Sequence, residues 1–367
     1  MALIKVKTRG TEDVTGAGKN LIINGGMQCW QRATSATTVT PNVGTSYNTV
    51  DRFFFYEYSD GSYTTEQSTG HSGDTGHDTA LKCVCTGTDT SLAATQFASV
   101  SHRIEAQNLQ HLRYGTSNAK TLTCSFWVKS NKTGIYSFSL VKNDGTAHYF
   151  VSEYTINSAN TWEQKTISIP ALTGSSINND SGVGFSIEWS LAYGSQFRTS
   201  TLNQWMTAQD FASTNQVNWL DSTSNNWYLT GVQLEVGDTA TDFEHRSFAD
   251  ELLRCKRYYE QWNLTTGENI WLGTSYSGGN PSCFLHWQVE KRGAPSVTLP
   301  AAGQSAGTVS FLNNVGGYPT TTGSHAVNKI TTRGCRISGS GYGGIASGIA
   351  VTFYVNSSTT IKIQSEL

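Results

Sequence analysis

Two histidines and two aspartates lie within a short stretch of the chain, in the sequence TGHSGDTGHDTA. They are His71, Asp74, His77 and Asp78. Imidazole nitrogens and carboxylate oxygens are common metal ligands, so this cluster is the first candidate for chemistry. Glycines separate its members, and the same composition is typical of a solvated hairpin tip. We therefore predict a polar turn here and no metal site.

Two further groups of titratable residues are close in sequence: His102, Glu105 and His111, and Asp238, Asp242 and Glu244. The spacing of the first group gives a strand or loop no reason to present both imidazoles to one metal ion. The second group precedes a predicted helix and is typical of a connection, so general acid-base catalysis there has no support. We predict no catalytic residues, no metal and no cofactor.

Seven cysteines stand at positions 29, 83, 85, 124, 255, 283 and 335. An odd number with wide spacing does not indicate a disulfide framework. Cys83 and Cys85 are separated by one residue, which is not the CxxC spacing of redox or zinc pairs. We predict reduced, buried thiols.

Composition narrows the elements that could position any site. Lys and Arg number 25 against 27 Asp and Glu, a formal charge of -2, so no basic face for nucleic acid is indicated. Charged residues make up only 14%, while Thr, Ser, Asn and Gly are abundant, which favours strands joined by polar turns. The chain has no long apolar run, so the sequence predicts no membrane-spanning segment. The first residues lack the pattern of a secretory signal.

Short segments with period-two alternation recur from Asn20 to about Arg246 and predict a β-sandwich or barrel. In TLTCSFWVK, residues 121–129, Leu122, Cys124 and Phe126 share one face. The next segment, GIYSFSLV at 134–141, alternates in the same way. The polar residues between the two segments predict a hairpin.

The period changes at residues 247–262, SFADELLRCKRYYEQW, which predict one α-helix. Ser247 is the expected N-cap, followed by first-turn acids. The spacings of 4, 3, 4 and 3 define an apolar stripe that packs either on the same sandwich or on partner subunits. Its members are Phe248, Leu252, Cys255, Tyr259 and Trp262.

Residues 263–367 return to short strands and predict a second, smaller C-terminal β-sandwich. The predicted organisation is an attachment arm at 1–19, a β body at 20–246, the helix at 247–262 and a β domain at 263–367. The predicted fold class is all-β and antiparallel.

Five blocks in order resemble phage tail-fibre and receptor-binding virion proteins. They are NLIINGGMQCWQR, VDRFFFY, TLTCSFWVKSNKTGIYSF, TWEQKTISI and YLTGVQLEVGDTATDFEHRSFADELLRCKRYYEQW, and they span residues 20–262. Such proteins carry a jelly-roll domain similar to carbohydrate-binding modules, then a short helix and a C-terminal β domain. The resemblance implies that Leu21 and Ile23 share one face of a first strand. It also implies that Gly25 and Gly26 follow with positive φ and that Trp30 returns to the core.

The resemblance also implies a function. We expect a non-enzymatic virion protein that is assembled in the host cytoplasm and adsorbs to a host surface glycan. It implies a homo-oligomer, most simply a trimer, attached to other virion proteins through the N-terminal arm. Two alternatives stay open: a head-decorating fibre or connector without host contact, and a glycan depolymerase.

Sugar binding requires flat aromatic faces, and the chain has 10 Trp, 16 Tyr and 15 Phe. Aromatic residues near turns of the C-terminal domain are the predicted glycan-binding set, with core or subunit packing as the alternative for each. They are Trp271, Tyr276, Trp287, Tyr318 and Tyr342.

Overall fold

A computed structural model describes residues 18–304, 307–313, 317–321 and 323–367. The chain divides into two compact units between Glu251 and Leu252. Strands dominate both units, so the predicted all-β class is confirmed. The predicted arm at 1–19 lies outside the described residues except for its last two.

The strands of the first unit are short and separated by polar turns. In chain order they are β1 (Thr37–Val39), β2 (Gly44–Ser46), β3 (Phe53–Glu57), β4 (Ser62–Ser68), β5 (Ala80–Gly87), β6 (Phe97–Glu105), β7 (Leu122–Ser130), β8 (Gly134–Lys142), β9 (His148–Ile156), β10 (Glu163–Ile169), β11 (Val183–Tyr193), β12 (Arg198–Thr199), β13 (Trp205–Met206), β14 (Ala212–Ser213) and β15 (Asn226–Val236). Helix α1 spans Ser72–Thr75, and 3-10 helices span Ala106–Leu112, Ser195–Phe197 and Trp219–Asp221.

Two antiparallel sheets face each other in this unit and form a jelly-roll sandwich. Sheet A has the order β1-β4-β5-β15-β7-β10, and sheet B has the order β13-β9-β8-β11-β6-β3-β2. The chain passes repeatedly from one sheet to the other, which places apolar rows from both sheets in one core. The short pair β12-β14 is parallel and separate.

The predicted hairpin between β7 and β8 is wrong. Strand β7 pairs with β10 and β15 in sheet A, whereas β8 pairs with β9 and β11 in sheet B. The apolar rows of the two strands therefore face each other across the core: the rings of Phe126 and Phe138 are stacked with centroids 6.3 Å apart. A hairpin would have placed both rows side by side in one sheet.

The stretch NLIINGGMQCWQR forms a turn and no strand. Ile22 is fully buried, while Leu21 and Ile23 are half-buried, so the expected face is reversed. Trp30 is half-buried against the core, and its indole nitrogen donates to the Met27 carbonyl at 2.5 Å.

The two glycines of this stretch do not have positive φ; Asn24 and Met27 do, with φ of 63° and 53°. Gly25 is instead required by close approach. A Cβ at Gly25 would lie 2.0 Å from the carbonyl oxygen of Val232, while the Val232 amide donates to the Gly25 carbonyl at 2.9 Å. The turn is thereby held against the bulge of β15.

Helix α2 spans Phe248–Lys256 and ends six residues before the prediction. The Ser247 hydroxyl accepts from the Asp250 amide at 3.2 Å, as expected of the N-cap. Tyr259 and Trp262 lie in the next strand, so the predicted stripe is not continuous. Aromatic residues favour strands, and here they gain a full antiparallel partner in Thr359–Gln364.

The strands of the second unit are, in chain order, β16 (Tyr259–Leu264), β17 (Asn269–Ser277), β18 (Asn280–His286), β19 (Ser296–Thr298), β20 (Ala301–Ala302), β21 (Thr308–Asn313), β22 (Ser324–Asn328), β23 (Gly334–Ser340), β24 (Ala350–Val355) and β25 (Thr359–Gln364). Sheet C has the order β16-β25-β19, and sheet D has the order β20-β21-β24-β17-β18-β23-β22. Apolar residues of both sheets share one core, which confirms the smaller second sandwich.

All seven cysteines lie in the described ranges, are buried, and form no disulfide, as predicted. Among the described residues, no helix has the length and apolar content needed to cross a membrane.

Candidate functional site

The His71–Asp78 cluster forms a short helical turn in which His71 and Asp78 make local contacts. The His71 Nε2 atom lies 2.8 Å from the Ser68 hydroxyl, and an Asp78 carboxylate oxygen accepts from the Gly70 amide at 3.3 Å. Within the described ranges, no group of three or more His, Cys, Asp or Glu side chains is placed to hold a metal ion. His77 points elsewhere, into a cavity described below.

The other titratable groups serve local structure. His102 is buried and its Nε2 atom lies 3.2 Å from the Ile23 carbonyl, while Glu105 accepts from Gln107. Glu244 accepts from the Asn20 amide at 2.5 Å. These contacts leave neither group arranged as a convergent acid-base pair.

None of the described ring contacts joins any two of the five predicted glycan-binding aromatics. Trp287 and Tyr342 are buried, with 7% and 1% exposed, so neither ring has a face open to a ligand. Trp271 is half-buried and stacks on Phe353. Tyr276 and Tyr318 are exposed, and glycan binding through the five residues stays a prediction.

An aromatic cavity of about 370 Å³ lies on the outer face of sheet B in the first unit. Seven aromatic rings, four of them tyrosines, line it together with two amides, one serine hydroxyl, one carboxylate and one guanidinium. The lining residues are Tyr56, Tyr58, Phe97, Arg103, Val141, Asn143, Tyr149, Ser186, Glu188, Tyr193, Phe197, Gln209 and Phe211. We call this the sheet B cavity.

Period-two alternation builds the floor of the cavity. Phe185, Ile187 and Trp189 of β11 point into the core, so Glu188 points outward. Its cross-strand neighbours are Ser101 on β6 and Ser139 on β8. Because both neighbours are small, the floor is low around the carboxylate.

Aromatic rings form one wall of the cavity as a continuous stack. The Phe97 and Tyr193 rings are 5.2 Å apart at 10°, and the Tyr193 and Phe211 rings are 5.9 Å apart at 20°. Phe197 meets Phe97 edge to face at 5.6 Å. Phe197 and Phe211 come from the segment after β11, where the Phe211 amide donates to the Phe197 carbonyl at 2.9 Å. Tyr58, 43% exposed, stands at the rim.

The Glu188 side chain is only 3% exposed, but two hydroxyl groups donate hydrogen bonds to its carboxylate. Its Oε2 atom accepts from the Tyr193 hydroxyl at 2.6 Å and from the Ser99 hydroxyl at 3.1 Å. Burial raises the pKa of Glu188, while Tyr193, Ser99 and Arg103 act in the opposite direction. Burial and the nearby Glu188 carboxylate hold the pKa of Tyr193 well above its usual range, so that hydroxyl remains a donor.

Arg103 supplies the positive charge of the cavity. Its guanidinium carbon lies 4.6 Å from the ring centre of Phe54 and 5.7 Å from that of Tyr56, and it also donates to the Tyr56 hydroxyl. Stacking on the two rings holds the planar guanidinium in a fixed orientation.

Flat rings beside fixed polar groups suit a ligand with an apolar face and hydroxyl edges. None of the lining residues was among the predicted site residues, although the sequence carries a signal for them. GFSIEWSLAY places a carboxylate at an outward position in the middle of a strand, and FFFYEY places aromatics at outward positions of β3. The local pattern does not show which strands become neighbours in the fold.

No protein-family model and no curated protein sequence matches the chain. Solved structures with some similarity include the tailspike protein 4 enzymatically active domain of bacteriophage CBA120, with 12% identity, a TM-score of 0.31, and coverage of 59% of this chain but 21% of that chain. The chain thus spans about a fifth of the length of that solved chain.

Two other similar structures are covered over nearly their whole length. A putative sugar binding protein from Bacteroides thetaiotaomicron has 12% identity and a TM-score of 0.33, over 60% of this chain and 100% of that one. The family 11 carbohydrate-binding module of a Clostridium thermocellum cellulase has 14% identity and a TM-score of 0.29, over 59% and 99%. Similarity at this level carries no argument about function, which must come from the site itself.

Proposed function

We propose that the protein binds glycans without cleaving them and that the sheet B cavity is its binding site. The observation that carries this proposal is the stack of Phe97, Tyr193 and Phe211 beside the buried Glu188. The Glu188 carboxylate accepts a hydrogen bond from the Tyr193 hydroxyl. A pyranose ring has an apolar C–H face that packs on aromatic rings, and its hydroxyls need acceptors and donors at fixed positions.

The polar groups of the cavity match the edges of a sugar ring. The Glu188 carboxylate accepts from hydroxyls, and the Arg103 guanidinium donates to ring or hydroxyl oxygens. The amides of Asn143 and Gln209 can do both. The cavity volume lies within the range of small-ligand sites.

The lining also supports the absence of catalysis. Glycoside hydrolysis ordinarily uses two carboxyl groups that flank the scissile bond. Glu188 is the one carboxylate among the described residues that line the cavity. Binding without turnover is what this set of groups can perform.

The proposal is tested with the intact chain against a panel of neutral and acidic bacterial polysaccharides and their oligosaccharides, by glycan array followed by calorimetry. Replacement Tyr58→Ala removes an exposed stacking ring and is expected to weaken binding about fivefold, from about 1 kcal/mol. Glu188→Gln removes a charged acceptor and is expected to weaken binding tenfold or more, from about 1.5–3 kcal/mol.

Matched controls come from the second unit. Tyr276→Ala and Tyr318→Ala remove exposed rings that sequence analysis predicted as glycan contacts. If these two variants lose binding while Tyr58→Ala and Glu188→Gln keep it, the site assignment is wrong. Release of reducing ends from any bound polysaccharide contradicts the non-enzymatic proposal.

The finer proposal is that the glycan lies on a bacterial surface and that the protein is a phage virion component of tail-fibre type. The resemblance of the five sequence blocks supports it; the attachment arm and the trimer are further expectations from the same resemblance. It predicts that the purified chain blocks phage adsorption to host cells and that Glu188→Gln blocks it less well. Labelled protein that locates to the capsid shell supports the head-fibre alternative instead.

A further inference from the structure

A second cavity lies in the first unit on the outer face of sheet A, the opposite side of the sandwich from the sheet B cavity. It measures about 340 Å³ and is formed by β7, β10, the bulge of β15 and the segment that follows β15. Its lining residues are Thr75, His77, Ser125, Trp127, Gln164, Thr166, Gly231, Ala240, Thr241, Asp242, Phe243 and His245. We call it the sheet A cavity.

Cross-strand pairing sets the floor of this cavity. Trp127 on β7 is directly opposite Gln164 on β10, and Ser125 is directly opposite Thr166. All four point away from the core, because Cys124, Phe126 and Val128 of β7 point into it. The floor therefore carries one indole and three small or amide polar groups.

Gly231 keeps the cavity open at the β15 bulge. It has φ of +60°, and a Cβ there would lie 2.7 Å from His77 Nε2 and 2.9 Å from Trp127 Cδ1. A side chain would collide with both walls and close the gap between them. Glycine leaves bare backbone between the imidazole and the indole.

Polar groups in this cavity lack protein partners. His77 is 5% exposed and Ser125 is 4% exposed, yet among the described residues neither ring nitrogen of His77 nor the Ser125 hydroxyl has a hydrogen bond. The same holds for the Trp127 indole N–H, the Gln164 amide and the Thr166 hydroxyl. The Gln164 and Thr166 side chains are exposed, so these donors and acceptors stay available to a ligand with several hydroxyls, which would displace water from them.

The charge of the cavity favours an uncharged ligand. Burial lowers the pKa of His77 to about 4, with a further contribution from His245, so His77 is neutral at physiological pH and offers one donor and one acceptor. Asp242 is the carboxylate of the described lining, which holds no lysine or arginine. An anionic ligand would meet this carboxylate without a compensating cation.

We propose that the sheet A cavity is a second binding site and that it takes a neutral polyhydroxylated ligand, such as a single neutral sugar residue, on the Trp127 indole. The proposal goes beyond the sheet B cavity and does not depend on it. Two sites on opposite faces would let one sandwich hold two glycan chains or two points of one chain, which raises the effective affinity.

The test follows the His77 imidazole by two-bond 1H–15N correlation spectroscopy on the intact chain. The probes are the methyl glycosides of galactose, glucose and mannose, each titrated to saturation or to its solubility limit, with galacturonic acid as the anionic comparison. The expected result is a saturable shift of the His77 resonances with at least one neutral glycoside and weaker binding of galacturonic acid. His77→Asn assigns the signals.

Variants on one strand provide the matched comparison. Gln164 and Thr166 are exposed, so Gln164→Ala and Thr166→Ala should fold normally and weaken the glycoside by about fivefold each through lost hydrogen bonds. Ser168→Ala, on the same face of β10 but outside the lining, should leave the affinity unchanged.

The readout separates this proposal from the proposed function. Tyr58→Ala, in the sheet B cavity, should leave the His77 titration unchanged even if it abolishes binding on the array. The second site is overturned if no neutral glycoside shifts the His77 resonances. It is equally overturned if Gln164→Ala and Thr166→Ala bind as Ser168→Ala does.

Discussion

Replacing Lys291 with methionine should destabilise the second unit far more than an ordinary surface change. The Lys291 Nζ atom lies 2.6 Å from Glu260 Oε2, and both side chains are 0% exposed. Glu260 Oε1 also accepts from the Trp262 indole at 2.6 Å, and Lys291 donates to the Lys256 carbonyl. The pair joins strand β16 to the segment after β18 within one core.

The loss in unfolding free energy depends on which charged group stays buried after the substitution. Burial lowers the pKa of Lys291, and the contact with Glu260 opposes that shift, so the ammonium depends on its partner. Lys291→Met leaves the Glu260 carboxylate buried without a cation, which costs about 3–5 kcal/mol. The double change Lys291→Met with Glu260→Gln removes both charges and should cost about 1–2 kcal/mol, most of it from the unpaired Lys256 carbonyl.

The assay is guanidinium unfolding of the intact chain, followed by tryptophan emission, for the wild type, both single variants and the double variant. The control is Lys132→Met in the first unit, whose partner Asp221 is 2.7 Å away but 39% exposed. That exposed pair should be worth less than about 1 kcal/mol. The reasoning fails if Lys291→Met costs no more than this control, or if the double variant is less stable than Lys291→Met alone.

Two predictions concern the first unit. Burial raises the pKa of Glu57 from 4.5 to about 7, so the folded state binds this proton more tightly than the unfolded state does. The stability that the Glu57 proton contributes is complete below about pH 4.5 and is lost as the pH rises through about 7. The free energy of unfolding should therefore fall by about 3 kcal/mol over this range. Glu57→Gln should flatten the fall, as measured by urea unfolding across a pH series. An unchanged slope in the variant would contradict the assignment. Gly25→Ala should cost about 3 kcal/mol because its Cβ would lie 2.0 Å from the Val232 carbonyl oxygen. Gly174→Ala, with no atom within 4 Å of the new carbon, should change the unfolding free energy by less than about 0.5 kcal/mol, and equal losses in both variants would refute the steric argument.

Local pattern predicted individual strands well because the side-chain period is a property of each segment. The inward row of Leu122, Cys124 and Phe126 was correct, as was the alternation of the next segment. The pairing of the strands could not be predicted from the local pattern. The β7 and β8 segments looked like a hairpin, yet each found partners in a different sheet.

Helix α2 also shows that local pattern predicts only part of the structure: its start was predicted correctly, and its end was not. Ser247 and the first-turn acids fixed where α2 begins, since capping depends on residues a few positions apart. Where α2 ends depended on Thr359–Gln364, about a hundred residues away, which recruited Tyr259 and Trp262 into a sheet. An apolar spacing compatible with a helix was overridden by tertiary pairing.

The sequence by itself determined an all-β chain with a low-charge surface, buried reduced cysteines and a helix between two β regions, because these follow from composition and short-range period. Only the tertiary structure decided where binding groups converge. Glu188, Phe97 and Phe211 come from separate parts of the chain, as do His77, Trp127 and Gln164, and they meet only when distant strands become neighbours in a sheet. Cavity formation depends on long-range register, and no single segment of the chain encodes it.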